Sequence, residues 1–166
     1  PRDSGAEPDG IEGQLSIANP RDALRRGLER QVKVALEKGV MPPLGRWLTW
    51  DLVQTADTAA NGVARKASML LGMAESTFRR QLEKARQESF NGQPQRSPEW
   101  PSLQPVFTRL IAGAQPAEGR NLVDEAGRFL LEELLAQVPH NDNLGCALLG
   151  VTKPTYQRRK AELLPH

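Results

Sequence analysis

The sequence repeats itself with a period of 78 residues, and this repeat restricts the fold more than any other feature. Without a gap, the shift pairs Leu70, Leu71, Gly72, Thr77, Phe78 and Arg80 with Leu148, Leu149, Gly150, Thr155, Tyr156 and Arg158. Scattered leucines match easily by chance, whereas a glycine, a threonine, an aromatic residue and an arginine at fixed spacing do not. The chain is therefore predicted to contain two copies of one structural unit.

Each copy has the apolar periodicity of amphipathic helices. In the first copy, one helix is predicted from Asn19–Pro20 to Gly39, and a second from about Leu44 to the break at "TAANGV". Shorter helices should follow at about 63–71 and 75–87, with Gly72 between them. The second copy repeats this order and ends in short helices near 142–149 and 153–164. The fold class is predicted to be all-α, with two tandem four-helix units.

Two polar segments separate and precede the units. Residues 1–19 contain one arginine, four acids, two prolines and three glycines, a composition that cannot bury a core. They are predicted to be a flexible linker, with an acidic interaction tail as the less favoured alternative. Residues 89–101, "SFNGQPQRSPEWP", are predicted to be a second linker. The predicted domains are therefore 20–88 for the first unit and 102–166 for the second, divergent unit.

Composition excludes several classes of function. The single cysteine, Cys146, excludes an intramolecular disulfide framework and a cysteine-clustered metal site. His140 and His166 are too few and too far apart for a metal site or an acid–base pair. No apolar run approaches the ~20 residues that cross a bilayer, and no signal-peptide pattern is present. We expect a soluble cytoplasmic protein without membrane contact, enzymatic activity, metal or other cofactor.

The repeated phrase has the spacing of a helix-turn-helix. A glycine in the turn permits positive φ, and apolar residues on both helices close a small core around it. Residues 63–86 hold six bases and two acids, a net charge of +4 in a chain whose total is +2. Residues 141–164 sum to +2. The coincidence of basic face and glycine-centred turn favours duplex DNA over a solvated helix face or an ordinary helical hairpin.

The segment "ARKASMLLGMAESTFRRQLEKA" resembles the DNA-binding segment of the Fis (factor for inversion stimulation) family. The same segment closes many NtrC-type bacterial enhancer-binding activators. The shared pattern is a basic and small-residue start, two apolar residues, Gly72, a short polar turn, and Thr-apolar-basic-basic at Thr77–Arg80. The resemblance is strong over 44–86 and weaker over 20–39. It implies that two longer helices per unit form a common core that orients two helix-turn-helices.

The resemblance also implies function. It indicates the DNA-binding region of a bacterial transcription regulator that reads the major groove mainly through residues 63–86. The implied partner is double-stranded DNA, with RNA polymerase or upstream regulatory domains of the same protein as further candidates. The residues implied to contact DNA in the first unit are Arg65, Lys66, Glu75, Ser76, Thr77, Arg79, Arg80 and Lys84. Those in the second unit are Lys153, Thr155, Arg158 and Arg159.

Two departures from the family pattern matter. Ala74 and Glu75 stand where family members often have Asn, Ser or Arg. Glu75 either accepts a hydrogen bond from a cytosine amino group or, as we prefer, complements the helix macrodipole. In the second unit, Asn143-Leu144 replace the basic pair Arg65-Lys66. We expect the first helix-turn-helix to read DNA and the second mainly to support it.

Several alternatives remain at this stage. Two units in one chain predict an intramolecular pseudo-dimer with an asymmetric DNA site, and the alternative is a homodimer in which units pair between chains. The rival function is a helical protein-interaction or oligomerisation module. The aromatic and sulfur-containing residues are interpreted as packing residues: Trp47, Trp50, Phe78, Cys146 and Tyr156, with Trp100 anchoring the second linker. A contact between the Tyr156 hydroxyl and a phosphate is the alternative for that residue.

Overall fold

The computed structural model describes residues 19–90, 96–113 and 121–163. Within these ranges, all regular structure is helical, which confirms the all-α prediction. The helices are α1 (Pro20–Lys38), α2 (Leu44–Ala59), α3 (Ala64–Leu71), α4 (Glu75–Phe90), α5 (Gln104–Ala112), α6 (Leu122–Gln137), α7 (Asp142–Leu149) and α8 (Lys153–Leu163). A 3-10 turn at Trp100–Leu103 precedes α5. The predictions for residues 1–18 and for 91–95 of the second linker lie outside the described residues.

The first long helix begins and ends at the residues that its sequence predicts. The Asn19 side chain accepts a hydrogen bond from the Asp22 N–H at 3.3 Å, and Pro20 occupies the first turn, where its missing N–H costs no hydrogen bond. Gly39 adopts φ 68° and ends the helix. The helix α4 continues to Phe90, beyond the predicted end at Gln87, so the linker predicted from residue 89 begins with helical backbone.

The helices α1, α2, α5 and α6 build one core. α1 packs against α6 and α5, and α2 packs against α5 and α6. This pattern is unchanged when α1 is exchanged with α5 and α2 with α6. Leu28, Leu52 and Phe107 are fully buried in the core, together with Leu130. Each such side chain stabilises the fold by roughly 1.5–3 kcal/mol relative to an exposed position.

The second linker is fastened to the first helix pair. Trp100 is buried, and its Nε1 donates a hydrogen bond to Asp51 Oδ2 at 2.7 Å. Its ring meets the edge of Trp47 at a centroid distance of 5.3 Å. Arg96 forms an ion pair with the same Asp51 carboxylate. The predicted packing of Trp47 and Trp50 and the anchoring role of Trp100 are confirmed, with Trp50 half-buried against the core.

Two further helix pairs pack onto these four helices and contribute side chains to the same core. We call α3, the turn at Gly72 and α4 hairpin 1, and α7, the turn at Gly150 and α8 hairpin 2. Gly72 has φ 73° and Gly150 has φ 81°, values that favour glycine. In hairpin 1, the Met73 N–H donates to Ser68 O at 3.0 Å. In hairpin 2, the Val151 N–H makes the equivalent bond to the Cys146 carbonyl at 3.1 Å, so both turns have the same backbone geometry.

The small residue before each turn behaves in the same way in both hairpins. Ser68 is buried, and its hydroxyl donates to Arg65 O at 2.8 Å. The Cys146 thiol donates to Asn143 O at 3.3 Å. Cys146 is half-buried and not buried as its sequence position predicts.

The two hairpins are held to the rest of the fold differently. In hairpin 1, Phe78 and Leu82 of α4 are buried, and α4 packs along α2. Lys160 stands at the position of Leu82 in hairpin 2 and forms an ion pair with Asp142 Oδ1 at 3.1 Å. Gln157 Nε2 donates to the other oxygen of Asp142 at 3.1 Å. A polar clamp therefore joins α8 to α7 where the first copy has an apolar contact.

Candidate nucleic-acid interface

The predicted contact residues of hairpin 1 lie on its solvent side. Phe78, Leu82 and Ala85 form the buried face of α4. Helical periodicity turns the residues between them outward. The exposed bases of hairpin 1 are Arg65, Lys66, Arg79, Arg80, Lys84 and Arg86. Hairpin 1 therefore presents the positive surface that its sequence predicts.

Some of these bases already have acidic partners. Arg79 Nε donates to Glu75 Oε2 at 3.0 Å, and Arg86 forms an ion pair with Asp57 of α2 at 3.3 Å. Glu75, in the first turn of α4, therefore has an i, i+4 ion-pair partner in Arg79. The bases of hairpin 1 that form no ion pair with any described residue are Arg65, Lys66, Arg80 and Lys84.

The two outer helices, α4 and α8, start differently. The Phe78 N–H donates to the Ala74 carbonyl, so Ala74 precedes α4, and alanine has no side-chain oxygen to cap it. At the equivalent position before α8, Thr152 Oγ1 accepts from the Thr155 N–H at 3.4 Å and lies 3.0 Å from the Thr155 hydroxyl. Thr155 is therefore engaged within its own helix. Ser76, near the start of α4, is exposed.

Hairpin 2 carries fewer free bases. Lys153, Arg158 and Arg159 are exposed and form no ion pair with a described residue. Lys160 is held by Asp142 and does not add to the free charge. Hydrogen bonds from Gln157 and then from Lys160 hold the pKa of Asp142 below its ordinary value of 3.8. The clamp therefore stabilises hairpin 2 above that pH and is lost as pH falls through the lowered pKa.

Tyr156 packs in the core, as predicted, and the alternative of a phosphate contact through its hydroxyl is wrong. The side chain is fully buried, and its hydroxyl has no hydrogen-bond partner among the described residues. A Cβ atom added at Gly145 would lie 2.3 Å from that hydroxyl, so the glycine makes room for it. Hairpin 1 has Ala67 and Phe78 at the equivalent positions. The methyl group of Ala67 in hairpin 1 and the hydroxyl of Tyr156 in hairpin 2 therefore occupy equivalent space.

The titration of Tyr156 is a direct measure of this burial. Desolvation raises the pKa of Tyr156 above its ordinary value of 10.0, and the nearby charge of Asp142 raises it further. Because the pKa is raised, the contribution of the neutral Tyr156 side chain to the stability of the fold is present below pH 10. This contribution is lost as pH rises through the folded-state pKa. Because the chain has one tyrosine, ultraviolet absorbance of tyrosinate reports this residue alone. We expect tyrosinate to appear only as the fold is lost in alkali.

The control for this titration is Tyr156→Phe, which should give no tyrosinate signal and should unfold at higher pH. Circular dichroism recorded in parallel follows the fold itself. A tyrosinate signal that appears at pH 10 or below, while the helical signal is intact, contradicts the buried position of the hydroxyl.

A cleft of about 1030 Å³ separates α4 from α8. Its basic lining residues are Arg46, Lys84, Arg128 and Arg159, and its acidic ones are Glu88, Asp124 and Glu162. Arg46 belongs to α2, and its side chain reaches the turn of hairpin 2, where its Nε donates to Gly150 O at 3.2 Å. The sequence gives no signal for this contact, because Arg46 lies in a helix whose apolar pattern predicts only a core role.

The described ranges contain no cluster of His, Cys, Asp and Glu side chains that fits a metal ion. None of the helices in these ranges has the length and apolar character needed to cross a membrane. Comparison with protein families, with characterised proteins and with solved structures finds no match to this chain.

Proposed function

We propose that the chain binds duplex DNA in a sequence-specific manner, as the DNA-binding region of a bacterial transcription regulator. Hairpin 1 is the helix-turn-helix that reads the major groove, and α4 is its recognition helix. The observation that carries the proposal is the set of exposed bases at the start of α3 and along α4 that form no ion pair with a described acid: Arg65, Lys66, Arg80 and Lys84. Bases at these two places neutralise phosphates on both sides of a groove that admits one helix.

The proposed architecture is two Fis-like four-helix units closed into an intramolecular pseudo-dimer. Two observations support it: the core contacts survive exchange of the two helix pairs, and the turns at Gly72 and Gly150 have the same hydrogen bonds. Because the hairpins carry different polar surfaces, the preferred DNA site is asymmetric. A mass measurement that returned a stable dimer at low micromolar concentration would favour the homodimer instead.

The proposed division of labour follows from the free bases. Arg80 is exposed on α4 and forms no ion pair with a described residue, and Arg65 and Lys66 stand at the start of α3. Hairpin 2 lacks the equivalent pair, and the hydroxyl of Thr155 is engaged at the helix start. We assign base reading to hairpin 1, and phosphate contacts by Lys153, Arg158 and Arg159 to hairpin 2.

Replacing Arg80 by alanine tests this assignment. The variant should bind duplex DNA about 1–3 kcal/mol more weakly, because it loses a base or phosphate contact made by an unpaired cation. Fluorescence anisotropy with a labelled duplex measures the affinity. Arg26→Ala is the matched control, since Arg26 is exposed on α1, which packs mainly against α5 and α6. Equal affinities of Arg80→Ala and Arg26→Ala for the duplex would show that Arg80 does not contact DNA.

The rival function is a protein-interaction module whose hairpins contact a partner protein. The observation that favours it is the exposure of two apolar side chains of hairpin 1, Val63 and Met69, at 53% and 49%. Salt dependence separates the two functions. Contacts with a polyanion weaken steeply as salt rises, because bound counterions are released, whereas apolar contacts do not.

A further inference from the structure

The geometry points to Arg46 as a DNA-binding residue of hairpin 2, although it belongs to the first helix pair of the chain. The inference rests on the proposed function, since it takes duplex DNA as the ligand. It adds a phosphate contact from α2 to those that Lys153, Arg158 and Arg159 of hairpin 2 make in the proposed function.

The structure fixes Arg46 against the turn of hairpin 2. Gly45, which has no side chain, lets α2 approach the carbonyl of Leu149 so closely that an added Cβ would lie 2.0 Å from it. The next residue, Arg46, donates from Nε to Gly150 O at 3.2 Å. Its Cγ would lie 3.0 Å from a Cβ added at Gly150, so the aliphatic part of the side chain covers the turn. The guanidinium is thereby held at the junction of α7 and α8.

The terminal amino groups of Arg46 are available to a ligand. A guanidinium carries five N–H donors, and the bond from Nε to Gly150 uses one of them. The residue is exposed, and it forms no ion pair with a described acid. The remaining planar fork fits two oxygens of one phosphate. Because the Nε bond already orders the side chain, less entropy is lost when the phosphate binds.

The surroundings of Arg46 favour an anion. The same cleft receives Arg128 from α6 and Arg159 from α8, and both are exposed without a described ion-pair partner. Glu88, Asp124 and Glu162 also line the cleft, but none of them forms an ion pair with Arg46. The three arginines come from three different helices and line one cleft. A phosphate backbone that lies along this cleft would meet all three.

Hairpin 2 also carries fewer bases without a described ion-pair partner than hairpin 1 does. Asn143-Leu144 replace the basic pair Arg65-Lys66, and Lys160 is held by Asp142. The repeat shows that only the first unit places an arginine of its helix pair on the hairpin of the other unit. Val123 and Asp124 stand 78 residues after Gly45 and Arg46. Valine has the Cβ that Gly45 lacks, and an aspartate repels phosphate, so the second unit offers hairpin 1 no such contact.

Arg46→Gln tests the inference in the full chain, with Arg30→Gln on α1 as the control of equal charge change. The slope of log affinity against log salt is measured on a random-sequence duplex by anisotropy. Arg46→Gln should flatten the slope by about 0.9, the value for one lost phosphate contact, and weaken binding about fivefold. Arg30→Gln should leave the slope unchanged. A slope for Arg46→Gln equal to that of wild type overturns the inference.

Arg46→Lys separates a phosphate contact from a purely positioning role. Lysine keeps the charge but cannot reproduce the Nε bond to Gly150. The inference predicts a wild-type slope for Arg46→Lys, and a slope as flat as that of Arg46→Gln would assign Arg46 to positioning alone. If wild type binds and Arg80→Ala weakens it while Arg46→Gln does not, this inference fails and the proposed function stands. If wild type binds no duplex, both fail.

Discussion

Gly45→Ala is expected to lower the free energy of unfolding by about 1–3 kcal/mol, the usual cost of overpacking, even though alanine is the better helix former. The added Cβ would lie 2.0 Å from the Leu149 carbonyl oxygen and 2.9 Å from its carbon. These are backbone atoms at the end of α7, which cannot rotate away as a side chain does. The helices α2 and α7 must separate, and the hydrogen bond from Arg46 to Gly150 is lost with their contact.

The matched control is Gly127→Ala, in the helix α6. A Cβ at Gly127 meets no heavy atom within 4 Å. This substitution should therefore stabilise the protein by about 0.5–1 kcal/mol through helix propensity alone. Urea unfolding followed by circular dichroism measures both variants. If Gly45→Ala stabilises the chain as Gly127→Ala does, hairpin 2 does not pack on α2 as the structure has it.

Gly145→Ala is expected to destabilise the fold by about 1–3 kcal/mol, for a different reason. The new methyl group would lie 2.3 Å from the hydroxyl of Tyr156 and 2.4 Å from the ring carbon that carries it. Tyr156→Phe alone should be neutral or stabilising, because the hydroxyl is buried without a described partner and an unpaired buried hydroxyl is costly. Combining the two substitutions recreates Ala67 and Phe78, the pair present in hairpin 1.

A double-mutant cycle measures this compensation. The double variant should recover most of the stability that Gly145→Ala loses, with a coupling free energy of about 0.5–3 kcal/mol. Denaturant unfolding of the wild type, both single variants and the double variant gives all four terms. Strictly additive changes would show that the methyl and the hydroxyl do not compete for one space, and that the two hairpins pack differently.

Much of the helical framework follows from the sequence alone. Asn19, Pro20 and Gly39 set the ends of α1 through their local chemistry, and Gly72 and Gly150 mark turns that the structure places in the left-handed region. These are short-range effects, so a sequence reveals them. The end of α4 is less predictable, because no glycine or proline stops the helix before Phe90.

The polar surface is predictable only in part. Exposure of the bases of hairpin 1 follows from helical periodicity, and the spacing of Glu75 and Arg79 is that of an i, i+4 ion pair. The burial of the Tyr156 hydroxyl could not be predicted from helical periodicity, because it depends on the space that Gly145 leaves by having no Cβ. The contact of Arg46 with Gly150 could not be predicted in this way either, since it spans 104 residues.

The most direct test of the central claim is the affinity of the wild-type chain for a labelled random-sequence duplex at low and at high salt. The account predicts measurable binding at low salt that weakens steeply as salt rises, with a slope of about −0.9 for each phosphate contact. It also predicts that Arg80→Ala flattens this slope while Arg26→Ala does not. Absence of binding at low salt, or binding that salt leaves unchanged, would contradict a DNA-binding function for hairpin 1.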